Sequence, residues 1–285
     1  MIKDLSFDLF DVVNKVTTDK FGRVSAFLAI NKPIGITSHD IVDKVRKKLG
    51  TKKVGHAGAL DPFASGVVLT LVGKRYTRLA EDLIKLDKRY RADVLFGVTT
   101  DTLDVEGYVT QVSDTSVFDF DRVPKVLKSF EGTYEQFVPV FSSVKVQGNK
   151  LRVLARKSSH FEFFAQEGEK WVRFFMGNQE DGSAKIVELP LPHKPVKISD
   201  VSCSDKATVS FDSLTGVFTK TETEIPNTNA LPRATVEFDC SKGTYVRQFA
   251  YDLAQELDQV GMLIGLERTR VGAIGIDQCI DIESL

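Results

Sequence analysis

Gly55-His56-Ala57-Gly58-Ala59-Leu60-Asp61-Pro62-Phe63-Ala64-Ser65-Gly66 is a glycine-punctuated loop that carries a single carboxylate, Asp61. Pro62 pushes the Asp61 backbone toward extended geometry. The small residues on either side let a bulky ligand approach the main chain closely. An aspartate held on such a loop is well placed to act as a nucleophile, although an isolated Asp-Pro pair is also a common turn starter. The loop fits neither the Walker phosphate-binding pattern nor the dinucleotide fingerprint.

Upstream, Phe27-Leu28-Ala29-Ile30 reads as a buried strand closed by Asn31-Lys32-Pro33-Ile34-Gly35. A helix is expected from Thr37-Ser38 to Leu49: Thr37 or Ser38 caps it, Ile41, Val42, Val45 and Leu49 form one apolar stripe, and Gly50 stops it. Downstream come a strand over Val67–Val72, a short helix over about Tyr76–Lys85, and a strand Arg89–Phe96. The last sets Tyr90, Ala92, Val94 and Phe96 on one face. Asp101–Gly107 reads as a turn, and helices follow near Val123–Phe130 and Lys150–Lys157. From about Ser158 to Pro190, aromatics mixed with Gly, Asn, Glu and Asp read as a β-rich insertion, and a second irregular stretch runs from about Ser204 to Pro232. A strand through Ala234, Val236, Phe238 and Cys240 leads to a helix Tyr245–Leu257, then to strands around Leu263–Arg268 and Gly272–Ile276. Strands and helices interleave without a regular βαβ alternation, so the expected fold class is α+β with a mixed or antiparallel sheet. Residues 1–25 read as an amino-terminal extension and 26–285 as the folded domain.

The chain of 285 residues is long enough to bury a sizeable core. It has no apolar run long enough to cross a membrane, and its start lacks the layout of a secretory signal, so a cytoplasmic location is expected. The cysteines (Cys203, Cys240, Cys279) and histidines (His39, His56, His160, His193) are scattered, which argues against a zinc site or a disulfide framework. The net charge of −1 announces no nucleic acid. Between Lys44 and Arg91, however, 13 basic residues stand against 4 acidic ones. Such a region suits phosphates, or forms a solvated face balanced by acids elsewhere.

Three further features bear on chemistry. Tyr90, mid-strand among Lys88, Arg89 and Arg91, suits stacking under a base or ordinary strand packing. Arg247 flanks the apolar stripe of its helix, where a guanidinium pairs with a carboxylate or covers apolar surface with its stem. Asp101, Asp104 and Glu106 invite a metal-dependent phosphohydrolase reading, but match no calcium-loop pattern and lack a histidine cluster; a polar connection between strands is the simpler account.

Taken in order, the motifs are specific. The Gly55–Val67 loop resembles the catalytic loop of the TruB family of tRNA pseudouridine synthases. So do Asn31-Lys32-Pro33-Ile34-Gly35-Ile36-Thr37-Ser38, Lys88–Ala92, Gly97–Gly107, Ser143–Gly148 and Gly243-Thr244-Tyr245-Val246-Arg247. The Leu-Asp-Pro-x-Ala-Ser-Gly form is similar to the bacterial tRNA enzymes rather than to guide-RNA-dependent relatives. The resemblance implies a pseudouridine synthase fold, with a long mixed or antiparallel sheet flanked by helices. It implies isomerisation of uridine in the T-loop of tRNA, at the position numbered 55, on a flipped-out base, with Asp61 as the essential aspartate. Arg247 is implied as its charge partner, Tyr90 as the tyrosine stacked on the base, and Leu266 as an apolar wall. His56 and Lys32 are implied to contact RNA; Lys52, Lys53 and Arg89, from the basic stretch, are expected as further phosphate contacts.

No cofactor or metal is expected, because the reaction is redox-neutral and consumes nothing. The expected partner is the T-arm of tRNA, bound by a monomer without membrane or guide RNA. The alternative is a non-catalytic RNA-binding or tRNA-folding protein on the same fold. Departures from the family pattern are Val68–Arg75, Phe141 where a tyrosine is more usual, and a carboxyl end soon after Gly275-Ile276. The last implies that the small PUA-type domain is absent, leaving RNA binding to the catalytic domain and to the insertion at about 158–190.

Overall fold

Val24–Lys32 and Ser65–Val72 are apolar on both faces, and both become inner strands of one sheet. The computed structural model describes residues 11–178, 184–214, 218 and 230–285. Along the sheet the strands run Val16–Thr18, Val24–Lys32, Ser65–Val72, Gly261–Val271, Lys88–Phe96, Leu231–Cys240, His193–Val209 and Gly132–Phe137. Val54–Ala57 also pairs with Ser65–Val72, and Ile274–Gly275 with Gly261–Val271. Ser65–Val72 meets Gly261–Val271 in parallel, while the sheet's other strand pairs are antiparallel, so the sheet is mixed. That parallel contact depends on Gly66: its φ is +108°, and a Cβ there would stand 2.3 Å from the Arg268 carbonyl oxygen.

Strand alternation sends Ala26, Leu28 and Ile30 to one face and Phe27 and Ala29 to the other. The first face packs under the helices Ser38–Lys48, Arg122–Ser129 and Val246–Gln255, through Ile41, Val42, Val123, Leu127 and Phe249. The second face packs under two short helices, Gly73–Thr77 and Ala80–Leu83. The helix at Ser38 begins as its sequence dictates, with Thr37 and Asp40 in a reciprocal capping box, and Gly50 follows its end at φ +60°.

Three expectations need correction. The single helix expected over Tyr76–Lys85 is two, and the Thr77 hydroxyl donates back to the Gly73 carbonyl at 3.1 Å, competing with helix continuation. Part of the stretch expected to be irregular from Ser204 is strand, because His193–Val209 runs on through it. Register shifts beside Asp200 and Asp205, both at positive φ, break the alternation that would have revealed the strand. Residues 215–217 and 219–229 of that stretch lie outside the described residues. The boundary expected at residue 25 falls inside a hairpin that pairs Val16–Thr18 with Val24–Ala26, and residues 1–10 lie outside the described residues.

The stretch 158–190 holds three antiparallel strands, Ser158–Gln166, Glu169–Asn178 and Ala184–Pro190. Their inner residues Val172, Phe174 and Leu189 bury against Val138, Val140, Leu151 and Leu154. On the outer face Arg173 is neutralised by Glu162 and Glu188. Among the described residues no helix is long and apolar enough to cross a membrane.

Candidate active site

The loop around Asp61 links the antiparallel partners Val54–Ala57 and Ser65–Val72, and its main chain is held from three sides. The Lys32 ammonium donates to the carbonyls of Pro33 (2.9 Å), Ile36 (2.7 Å) and Pro62 (3.1 Å). The Ser38 hydroxyl accepts from the Leu60 N–H at 2.9 Å. The buried Arg268 guanidinium donates to Gly58, Ala59 and Val67 carbonyls at 3.1, 3.3 and 2.7 Å. The backbone is therefore fixed, while the Asp61 side chain stays 40% exposed. A rigid frame around an accessible carboxylate is what a nucleophile needs.

Arg247, in the first turn of the helix Val246–Gln255, reaches this carboxylate: Nε donates to Asp61 Oδ2 at 2.9 Å, while Nη2 lies 3.5 Å from Oδ1. Nη1 donates to the Thr102 carbonyl (2.8 Å) and Nη2 to the Phe141 carbonyl (3.2 Å). A second carboxylate, Asp104, stands 3.5 Å from Nε; its side chain is 3% exposed and that of Arg247 8%. Asp104 also accepts from the Thr102 hydroxyl (2.6 Å) and the Glu106 N–H (2.9 Å). Burial works against the Arg247 charge, but Asp61 and Asp104 outweigh it and raise the pKa above the usual guanidinium range. Burial pushes the Asp104 carboxyl above its usual range, and Arg247 only partly opposes this.

Tyr90 and Leu266 lie on neighbouring antiparallel strands, with Tyr90 opposite Arg268 and Leu266 opposite Ala92. Both pack into the core cluster that contains Leu60, Phe63 and Ala64 of the Asp61 loop. Burial raises the Tyr90 pKa, with the Arg268 charge opposing, and the Asp61 charge is near enough to act on the same hydroxyl. Tyr90 therefore remains a protonated phenol at neutral pH. An open carboxylate with a buried guanidinium behind it stands beside the part of the central strands that carries Tyr90 and Leu266.

Residues 46–169 match the family described as TruB family pseudouridylate synthase (N terminal domain). Over 94% of its length the chain is 35% identical to tRNA pseudouridine synthase B of Protochlamydia amoebophila, covering 82% of that protein. The chain belongs to the TruB family. The enzyme of the same name from Bacillus subtilis is 33% identical over 92% of the chain and 70% of its own length. Among solved structures, a chain of a Cbf5-Nop10-Gar1 complex shares the fold, with a TM-score of 0.52 and 21% identity. That match covers 95% of this chain and 60% of the other.

Two residues assigned to RNA in this TruB-family chain are committed elsewhere. Lys32 is fully buried and spends its ammonium on three carbonyls, so it fastens the Asp61 loop; burial also pushes its pKa down to about 8, against the pull of Asp61. Arg89 alternates away from Tyr90 to the opposite face of the sheet, where Asp200, Glu237 and Asp239 neutralise it. Lys52 and Lys53 are exposed. His56 is half-buried, and its Nδ1 has no partner among the described residues; burial, then the Arg268 charge, lower its pKa, so the ring is neutral at pH 7. Arg268 belongs to none of the motifs quoted above, although its place two residues past Leu266 on one strand is a usable signal. Asp104, a metal ligand or turn residue by sequence, is a buried partner of Arg247. Among the described residues, no group of three His, Cys, Asp or Glu side chains could hold a metal ion. Two of the three carboxylates are engaged: Asp104 with Arg247, the Thr102 hydroxyl and the Glu106 N–H, and Asp101 with the Tyr108 N–H.

Proposed function

We propose that this chain isomerises uridine to pseudouridine in the T-loop of tRNA, at position 55, with Asp61 as the nucleophile. The observation that carries the reading is the Asp61–Arg247 pair: the guanidinium is buried behind the carboxylate, whose other side is open. A carboxylate oxygen attacks the uracil ring or ribose C1′. The N1–C1′ bond breaks, the detached base turns, a C5–C1′ bond forms, and the bond between the substrate and the Asp61 oxygen breaks to return the free carboxylate. C5 then gives up its proton and N1 carries one. Reactant and product have the same atoms, so no oxidant, nucleotide or metal is required. Tyr90 stacks on the flipped base and offers a phenolic proton, and Leu266 walls the pocket. The half-buried, neutral His56 ring contacts the RNA through its exposed edge, while its Nδ1 is buried. The protein acts as a monomer without a guide RNA.

The decisive assay is tritium release from a T-loop tRNA transcript labelled at uridine C5. Release supports the reading; tight tRNA binding without release would favour a non-catalytic RNA-binding protein.

Phosphate contacts come from a corner of the sheet rather than from the whole basic stretch. The Gly73 N–H donates to the Lys53 carbonyl at 2.8 Å, bringing Lys52 and Lys53 beside Lys74 and Arg75. Lys52, Lys53 and Lys74 are exposed, with no acidic partner among the described residues, whereas Lys44, Lys48 and Lys85 are paired with acids. Converting Lys52, Lys53 and Lys74 to alanine is expected to weaken tRNA binding and leave the rate at saturation unchanged. The slope of log Kd against log salt should fall by roughly two, at ~0.7–0.9 per phosphate contact. An unchanged slope would remove this corner from the RNA footprint.

A further inference from the structure

The helix that carries Arg247 begins without a side-chain cap of its own: Tyr245, its N-cap residue, makes no side-chain capping bond. The N-cap residue itself is held instead by a side chain from a strand. Gln136, on Gly132–Phe137, is completely buried. Its Oε1 accepts from the Tyr245 N–H at 2.8 Å, and its Nε2 donates to the Tyr245 carbonyl at 3.2 Å. One amide side chain thus grips both polar groups of one residue, two positions before Arg247. Nε2 also donates to the Tyr134 hydroxyl at 2.6 Å. That hydroxyl lies 3.4 Å from Asp252 Oδ2, and Asp252 Oδ1 accepts from Gln248 at 2.8 Å, back on the same helix. Five residues beyond Gln136, the Phe141 carbonyl accepts from Arg247 itself. The segment from Tyr134 to Phe141 therefore holds Arg247 at two levels, backbone and guanidinium.

Such a clamp exceeds what burial alone would demand. A buried amide costs free energy unless its hydrogen bonds are met, and any partner would meet them. Here they converge on the peptide that sets where the Arg247 side chain starts. Small displacements of a charged group around a reacting centre cost rate far more than they cost binding. We propose that Gln136 is a positioning residue: by clamping Tyr245 it sets the Arg247 guanidinium against Asp61. This rests on the pseudouridine synthase reading given above.

The test is Gln136→Met, which keeps the volume and removes the clamp. Single-turnover tritium release should fall about ten- to a hundredfold, the scale expected for a misplacement near 1 Å, with tRNA Kd within about twofold of wild type. In an Arg247→Lys background the same change should cost at most about threefold, because residues acting as one unit are non-additive. Equal losses in both backgrounds, or a rate within twofold of wild type, would overturn the proposal. Should Gln136→Met fail to fold at the assay temperature, Tyr134→Phe trims only the outer arm of the clamp. Its expected loss is about threefold in rate at unchanged Kd, and no loss would overturn the proposal equally. Absence of release by the wild-type protein would instead overturn the functional reading.

Discussion

Asp61→Ala protein is expected to bind tRNA as the intact protein does and to release no tritium from uridine C5, a loss of about 10⁴-fold or more. The size of the effect follows from the proposed chemistry: without a carboxylate to attack, the N1–C1′ bond has no covalent route to cleavage, and the roles proposed for Tyr90 and Leu266 supply no substitute nucleophile. The stability cost should be small. The Asp61 side chain is 40% exposed, and the loop beneath it is held by Lys32, Ser38 and Arg268 through main-chain groups that an alanine retains. Asp61 also bears unfavourably on Asp104, being among the causes that raise the Asp104 pKa. Its removal leaves Arg247 to serve Asp104 alone, so the melting temperature should stay level or rise slightly. Residual release within tenfold of wild type, in a folded variant that binds tRNA, would reassign the nucleophile. Asp61→Asn separates shape from charge: it should be equally inert, since an amide retains the geometry but not the nucleophilic oxygen.

What could be read before the structure was what short-range rules control. The Ser38–Lys48 helix followed from its cap, stripe and terminal glycine, and the Tyr90 face of Lys88–Phe96 from period-two alternation. The strand His193–Val209 escaped because its register shifts invert that alternation twice. The fates of Lys32 and Arg89 were equally hidden, since a basic residue in a motif looks the same whether it faces a phosphate, three carbonyls or three carboxylates. Arg247 was recognised by its place in a motif, but its four partners lie 106 to 186 residues away in the chain. No local pattern reports separations of that length. Asp104 is the sharpest case: its spacing to Asp101 and Glu106 invited metal ligation but favoured a polar connection between strands, and only the fold shows that Arg247 has claimed it.

Arg247→Met should damage turnover less than loss of Asp61 does, and be far more damaging to the fold. Losing a preorganised charge partner at a reacting centre typically costs about 10²–10³ in rate. Removing one partner of a buried ion pair costs about 3–5 kcal/mol, because the other charge stays buried and unpaired. Asp104 would be that orphan, with a side chain only 3% exposed. The pH dependence has a definite sign. Burial already raises the Asp104 pKa, and Arg247 is the largest opposing influence. Without Arg247 the folded-state pKa climbs further above the unfolded value of ~3.9. A raised carboxyl pKa means that the folded state holds the extra proton. Stability is then fully present below the unfolded pKa and is lost as pH rises toward and through the folded one. The melting-temperature deficit of Arg247→Met against wild type should therefore be larger at pH 8 than at pH 5. Adding Asp104→Leu removes the orphaned charge, and should restore much of the melting temperature while leaving turnover lost. If stability and turnover recover together, Arg247 acts only through the fold. Turnover of the single variant within a few-fold of wild type would show that the carboxylate needs no cation behind it.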